Sequence, residues 1–192
     1  MASTLSETEI CNLALAKIGN AEGYLTSLET DTTEAGQACR RVYSAMRDEV
    51  IESQPWRFAI GRAALAASSA TPIWGYDRAF AKPSDFLRMV STEDDQADYE
   101  DEGDYILSDA SAPLNVRYLR RITDTSKFTP TFVSALATRI AVEICEPITK
   151  STAKRDSLWT EYKALVRQAR RTDMMGAAQT LAPDGDWNNA RL

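Results

Sequence analysis

The stretch RDEVIESQPWRFAIGRAALA, from Arg47 to Ala66, contains the point at which the chain changes its secondary structure. Before this point, over residues 32–53, apolar residues recur with a period close to 3.6, which predicts an amphipathic helix. Pro55 ends that helix, because the residue before a proline is displaced from the α region. We therefore expect Pro55, Trp56 and Phe58 to form the joint between a helical part and a sheet, with an intersubunit contact as the alternative for the two aromatic residues.

Three further helices are predicted from the same periodicity, over residues 6–18, 129–148 and 157–175. Local end signals support them. Ser6 and Glu9 have capping-box spacing, Asp31 or Thr32 is the expected N-cap of the 32–53 helix, and Pro147 is expected to end the third helix.

Between the second and third helices the apolar pattern changes to that of strands. The segment 114–122 alternates, with Leu114, Val116 and Tyr118 on one side and Leu119 on the other. Further strands are predicted around 58–65, 86–92 and 105–109, about four in all, which is enough for a small sheet.

The predicted fold class is therefore α+β: a four-helix bundle with an inserted small antiparallel β-sheet and an extended C-terminal tail. Residues 1–55 hold helices one and two, 56–125 the β insertion, 126–175 helices three and four, and 176–192 the tail.

Composition excludes several kinds of chemistry. The chain has 192 residues, with 22 basic and 28 acidic side chains and a formal net charge of -6, which argues against a dedicated DNA-binding protein. It contains no histidine, the most frequent general base and metal ligand. No nucleotide-binding or nucleophile-elbow motif is present, so we expect neither an enzyme nor a cofactor.

The three cysteines, Cys11, Cys39 and Cys145, lie far apart within apolar helical patterns, which predicts buried reduced thiols and neither disulfides nor a metal site. The N-terminal residues lack the pattern of a signal peptide, and no apolar run is long enough to span a membrane.

Two segments of opposite charge are candidate contact surfaces. The run TEDDQADYEDEGD, 92–104, is predicted to be a solvated, mobile loop and includes Asp94, Asp95, Asp98 and Asp101. A charged interface or a loop that faces a channel is the alternative. Arg167, Arg170 and Arg171 lie near the end of the fourth helix, where cations favour the helix dipole. They could instead contact an acidic surface of a neighbouring copy, giving register and specificity.

The segments ICNLALAKIGN, DTTEAGQACRRVYSAMRDEVIESQPWRFAIGRAALA, FLRMV, YILSD and LNVRYLRRITD resemble, in order and spacing, the tail adaptor family of short-tailed bacteriophages, also called tail tubular protein A. The resemblance covers roughly residues 8–172. It implies a virion protein at the head–tail junction, assembled in the host cytoplasm. Such proteins form a twelve-fold ring that joins the portal protein to the tail nozzle protein, and double-stranded DNA passes through the channel without specific binding.

The same resemblance implies that the C-terminal tail reaches the portal. We predict that residues 176–192 order only on docking, with Leu181, Trp187 and Leu192 as apolar anchors. An acidic channel wall would let DNA slide without adhering. Three alternatives remain open: a head-completion or stopper protein of a longer-tailed phage, a hydrolase or metal enzyme that uses the acidic run, and a nucleic-acid binder that uses the basic helix.

Overall fold

The computed structural model of the protein describes residues 5–20, 24–94 and 97–175. Within these ranges the chain forms four α-helices and six β-strands. The helices are α1 (Glu7–Lys17), α2 (Glu34–Ser53), α3 (Pro130–Thr149) and α4 (Thr152–Met175). The strands are β1 (Ile60–Leu65), β2 (Arg78–Ala81), β3 (Phe86–Thr92), β4 (Tyr99–Glu102), β5 (Tyr105–Ser108) and β6 (Leu114–Arg120). All four predicted helices are present, although α4 begins five residues earlier than expected, at 152 and not 157.

Capping chemistry sets the helix starts. At α1 the hydroxyl of Ser6 accepts the Glu9 N–H at 3.3 Å, and the Glu9 carboxylate accepts the Ser6 N–H at 2.7 Å, which confirms the capping box. The N-cap of α2 is Thr33 and neither Asp31 nor Thr32. Asp31 instead positions the N-cap residue, because its carboxylate accepts the Thr33 N–H at 2.8 Å.

The prediction that Pro147 ends the third helix was wrong. Pro147 lies inside α3, which continues to Thr149. A proline in the last turn removes only one hydrogen bond, and the helix ends instead at Lys150, whose left-handed backbone has φ 55°. The end of α2 is as predicted: the helix stops at Ser53, and Gln54 before Pro55 is extended.

The strands form two sheets, which corrects the prediction of one small sheet. The first is antiparallel with order β1-β6-β3, and the second is antiparallel with order β2-β5-β4. The sequence prediction missed β2 and β4. Each has only four residues, and every residue of β4 is exposed, so neither carries a period-two apolar pattern.

Part of the acidic run is therefore ordered, and the prediction of a mobile loop was wrong for residues 99–102. These form β4, whose four residues all pair with β5. A two-residue connection, Gly103 and Asp104, joins the strands, and Gly103 supplies the positive φ that tight hairpin turns need.

The helices do not form a four-helix bundle around a shared axis. Helix α3 is central, packs against each of the other three and buries residues on nearly every side. Leu119 of β6 and the connecting residues Ile122 and Phe128 complete the same helical core. The fold is thus a mixed α/β arrangement of helices around α3 with two three-stranded sheets.

The first sheet lies between the helices and the second sheet. The alternation in β6 has the predicted sense, since Leu119 belongs to the helical core while Val116 and Tyr118 face the other way. On that second side they join Phe80 of β2 and Ile106 of β5 in a separate apolar core. The first sheet consequently separates the second sheet from the helical core, so α4 belongs to the helical part and β4 to the second sheet.

Candidate interaction surfaces

Trp56 and Phe58 lie in an aromatic cluster inside the subunit. Trp56 is 2% exposed, and its indole N–H donates to the Val50 carbonyl at 2.7 Å. Its ring meets that of Phe132 edge-on at 5.1 Å, and Phe58 contacts both Phe132 and Phe128. The cluster packs the residues that precede β1 against the start of α3. Pro55 itself is exposed.

The basic residues of α4 lie on an exposed stripe. Trp159, Lys163 and Arg167 are spaced by four, so they follow one side of the helix, and Arg170 and Arg171 continue it by one more turn. All five are exposed, and none of the four cations forms an ion pair with another described residue. Trp159 stacks on Tyr162 at 5.4 Å and carries Lys163 above its ring at 5.9 Å. We call this set the α4 stripe.

The acidic residues lie on the outer edge of the second sheet. Glu100, Asp101 and Glu102 occupy β4, an edge strand, and Asp98 precedes it. Asp101 forms a salt bridge with Lys82, whereas no ion pair within the described residues involves Glu100 or Glu102. Charged side chains on an edge strand also prevent strand-to-strand aggregation.

The other acidic candidates are less informative. Asp94 is exposed and follows β3, where its carbonyl accepts the Thr92 hydroxyl at 2.5 Å. Asp95 lies outside the described residues, as do the predicted tail anchors Leu181, Trp187 and Leu192. The structure therefore brings Asp98 and Asp101 together on one edge and places Arg167, Arg170 and Arg171 in a different layer.

Sequence reasoning missed the most exposed apolar group of the described chain. Ile73 and Trp74, in the connection between β1 and β2, are 98% and 86% exposed. Beneath them is a groove of about 330 Å³, whose other lining residues include Tyr76, Glu100, Glu102 and Leu107. The only signal in the sequence was the position of two large apolar residues between Pro72 and Gly75, both of which mark turns.

The base of this connection is held firmly to the sheet. The Asp77 N–H donates to the Asp109 carboxylate at 2.8 Å, and the Arg78 guanidinium donates to the Asp109 carbonyl at 2.8 Å. On the other side, the Ser68 N–H donates to the Ala79 carbonyl at 2.7 Å. Gly75 has φ 94°, which a residue with a side chain adopts only with strain. We call residues 70–76 the apolar loop.

Negative charge surrounds the apolar loop. Partial burial raises the pKa of the Tyr76 hydroxyl, and the carboxylates of Glu100, Asp98 and Asp109 raise it further. Nearby carboxylates disfavour the phenolate form of a tyrosine, as burial does. Glu100 and Glu102 also line the groove beside Ile73 and Trp74, so the apolar tip and the acidic edge are one continuous surface.

The structure also shows the state of the cysteines. All three cysteines are buried free thiols, as predicted, and both a hydrogen bond to Cys39 and burial raise the pKa of Cys11. Within the described residues, no cluster of three or more cysteines and carboxylates has the arrangement of a metal site. The helices in that part of the chain also include none with the length and apolarity needed to cross a bilayer.

No protein-family model matches the chain, and no curated protein matches its sequence. The similarity to phage tail adaptors thus stays a prediction from the order and spacing of sequence segments.

Proposed function

We propose that the protein is a virion structural protein: a ring-forming head-to-tail adaptor that joins the portal to the tail nozzle and extends the DNA channel for packaging retention and genome ejection. The observation that carries the proposal is the separation of charge on one subunit. The basic α4 stripe belongs to the helical part of the fold, whereas the acidic β4 edge belongs to the second sheet, which packs on a different hydrophobic core. A closed ring of identical subunits needs two different, complementary surfaces on each copy.

The sequence resemblance supports the same role, since the segments that carry it include α1, α2 and the strands of the first sheet. The net charge of -6 also fits a channel component, because a ring of such subunits is strongly acidic and repels the DNA backbone. In this proposal, the aromatic cluster around Trp56 keeps the helices and the first sheet in one rigid subunit.

The decisive experiment mixes the purified full-length chain with the portal protein encoded in the same genome and images the mixture by negative-stain electron microscopy. We expect an additional ring on one end of each portal ring, and a chain that lacks residues 177–192 should no longer attach. Portal rings that stay bare at saturating concentrations of the full chain would refute the proposal.

Two further measurements separate the alternatives. Adding the nozzle protein should extend the complex on the face away from the portal, whereas a stopper of a longer-tailed phage would bind neither a short-tail nozzle nor its complex. Double-stranded DNA should bind this protein weakly or not at all at about 150 mM salt. A dedicated nucleic-acid binder would still bind it tightly under these conditions, so this measurement separates the two functions.

A further inference from the structure

The apolar loop has the physical character of a binding anchor. Water solvates two adjacent large apolar side chains poorly, and tryptophan is among the residues that contribute most when buried at the centre of an interface. Singly exposed apolar residues are common on protein surfaces, but Ile73 and Trp74 are neighbours and project from the same tip. Their exposure therefore points to a partner surface.

The base of the loop is fixed before any partner binds. Asp109 holds one side of its base through its carboxylate and its carbonyl, and the Ser68–Ala79 backbone bond holds the other. A tip presented by a fixed base loses less conformational entropy on binding than a mobile segment does. Rigid presentation favours a specific contact.

The charge around the tip restricts the partner. Glu100 and Glu102 line the groove beneath Trp74, and neither forms an ion pair within the described residues. A complementary surface must offer an apolar centre with unpaired cations beside it. The α4 stripe of this same chain has that composition, because Trp159 is 39% exposed and Lys163 and Arg167 follow it along the helix.

The two surfaces do not meet within one subunit. The second sheet packs on the first sheet, the first sheet packs on the helical core, and α4 lies within that core, where it packs mainly against α3. A contact between them has to join different copies, and such a head-to-tail contact generates a ring when the rotation closes.

We infer that the apolar loop of one subunit, with Ile73 and Trp74 at its tip and Glu100 and Glu102 at its rim, docks on the α4 stripe of a second copy around Trp159, Lys163 and Arg167. This inference rests on the proposed function, because it identifies the two surfaces through which neighbouring subunits of the proposed ring contact each other. The tip supplies the apolar contact of the interface, and the charges determine which surfaces meet.

The first test measures self-association of the full chain by sedimentation velocity over a concentration series, and on portal rings by electron microscopy. The double variant Ile73→Ala/Trp74→Ala should associate at least about tenfold more weakly, the effect expected for an interface anchor. Tyr24→Ala is the matched control, because Tyr24 is also exposed, at 81%, but lies elsewhere on the surface. Circular dichroism should show that all three proteins are folded alike.

The second test exchanges the charges. Glu100→Lys/Glu102→Lys and Lys163→Glu/Arg167→Glu should each abolish self-association. An equal mixture of the two should restore it, because the changed rim of the first variant meets the changed stripe of the second and the remaining surfaces match as in the wild type. Only a direct contact between these surfaces predicts recovery in the mixture.

Any one of these results would overturn the inference: wild-type association by the Ile73→Ala/Trp74→Ala variant, no recovery in the charge-exchanged mixture, or no self-association of the wild type either alone or on portal rings. Loss of portal or nozzle binding with unchanged self-association would assign the loop to a different protein partner and would also overturn it. The proposed function fails separately, when the wild-type chain leaves portal rings bare.

Discussion

Replacing Trp56 by alanine tests the packing between the helices and the first sheet. The side chain is almost fully buried, contacts Phe132 edge-on at 5.1 Å and donates to the Val50 carbonyl at 2.7 Å. Truncation of a buried tryptophan costs about 3–5 kcal/mol, because it removes apolar contacts and leaves a cavity. The lost hydrogen bond contributes about 1 kcal/mol. We expect the free energy of unfolding to fall by about 4 kcal/mol, a large part of the 5–15 kcal/mol typical of a folded protein.

The assay is urea unfolding followed by far-ultraviolet circular dichroism, since the substitution also changes tryptophan fluorescence. Trp56→Phe should lose only about 1–2 kcal/mol, because the ring contact is partly retained while the N–H donor is lost.

Trp74→Ala is the matched control. It removes the same side chain from an exposed position, and its effect should stay within about 0.5 kcal/mol. A loss below about 1 kcal/mol for Trp56→Ala, or an equal loss for both alanine variants, would refute the argument from burial.

Further predictions concern single polar contacts. Arg139 donates to both carboxylate oxygens of Glu49, at 2.8 and 3.0 Å, and so joins α2 to α3. Arg139→Met should therefore lower the free energy of unfolding by about 1 kcal/mol. Arg155→Met, which removes an exposed surface pair, should leave the free energy of unfolding nearly unchanged. The hydrogen bonds from the backbone and hydroxyl of Ser6 lower the pKa of Glu9, so the ionised carboxylate stabilises the fold at neutral pH and this contribution disappears as the pH falls through the lowered folded-state pKa. Glu9→Gln should therefore destabilise the protein at pH 7 and have no effect well below the pKa of an ordinary carboxyl group, about 4, which urea titrations at both pH values would measure; an equal loss at both would contradict the linkage. Lys150→Gly should raise the free energy of unfolding by about 1 kcal/mol, because glycine adopts the left-handed C-terminal backbone of α3 without strain, whereas Lys150→Ala should bring no gain.

The candidate surfaces were only partly predictable from the sequence. The charges of Arg167 and Asp101 and their separation along the chain are visible without a structure, but the layer to which each belongs is not. The role of Ile73 and Trp74 could not be predicted from their residue types, because large apolar side chains are most often buried. In the fold, Ile73 and Trp74 belong to neither hydrophobic core, and the base of their loop is hydrogen-bonded to Asp109 at the end of β5.

Local signals determined the parts of this fold that depend on neighbours in sequence. Helical period, the Ser6–Glu9 capping box and the alternation along β6 each involve residues only a few positions apart, and the structure has all three. Tertiary structure alone decided that β4, acidic and exposed, pairs with β5, that the strands divide into two sheets, and that α3 is the central helix. Those outcomes depend on contacts between segments distant in sequence. They are stabilised by the burial of apolar surface in two separate cores, and each core is built from segments far apart in sequence, so no single segment predicts it.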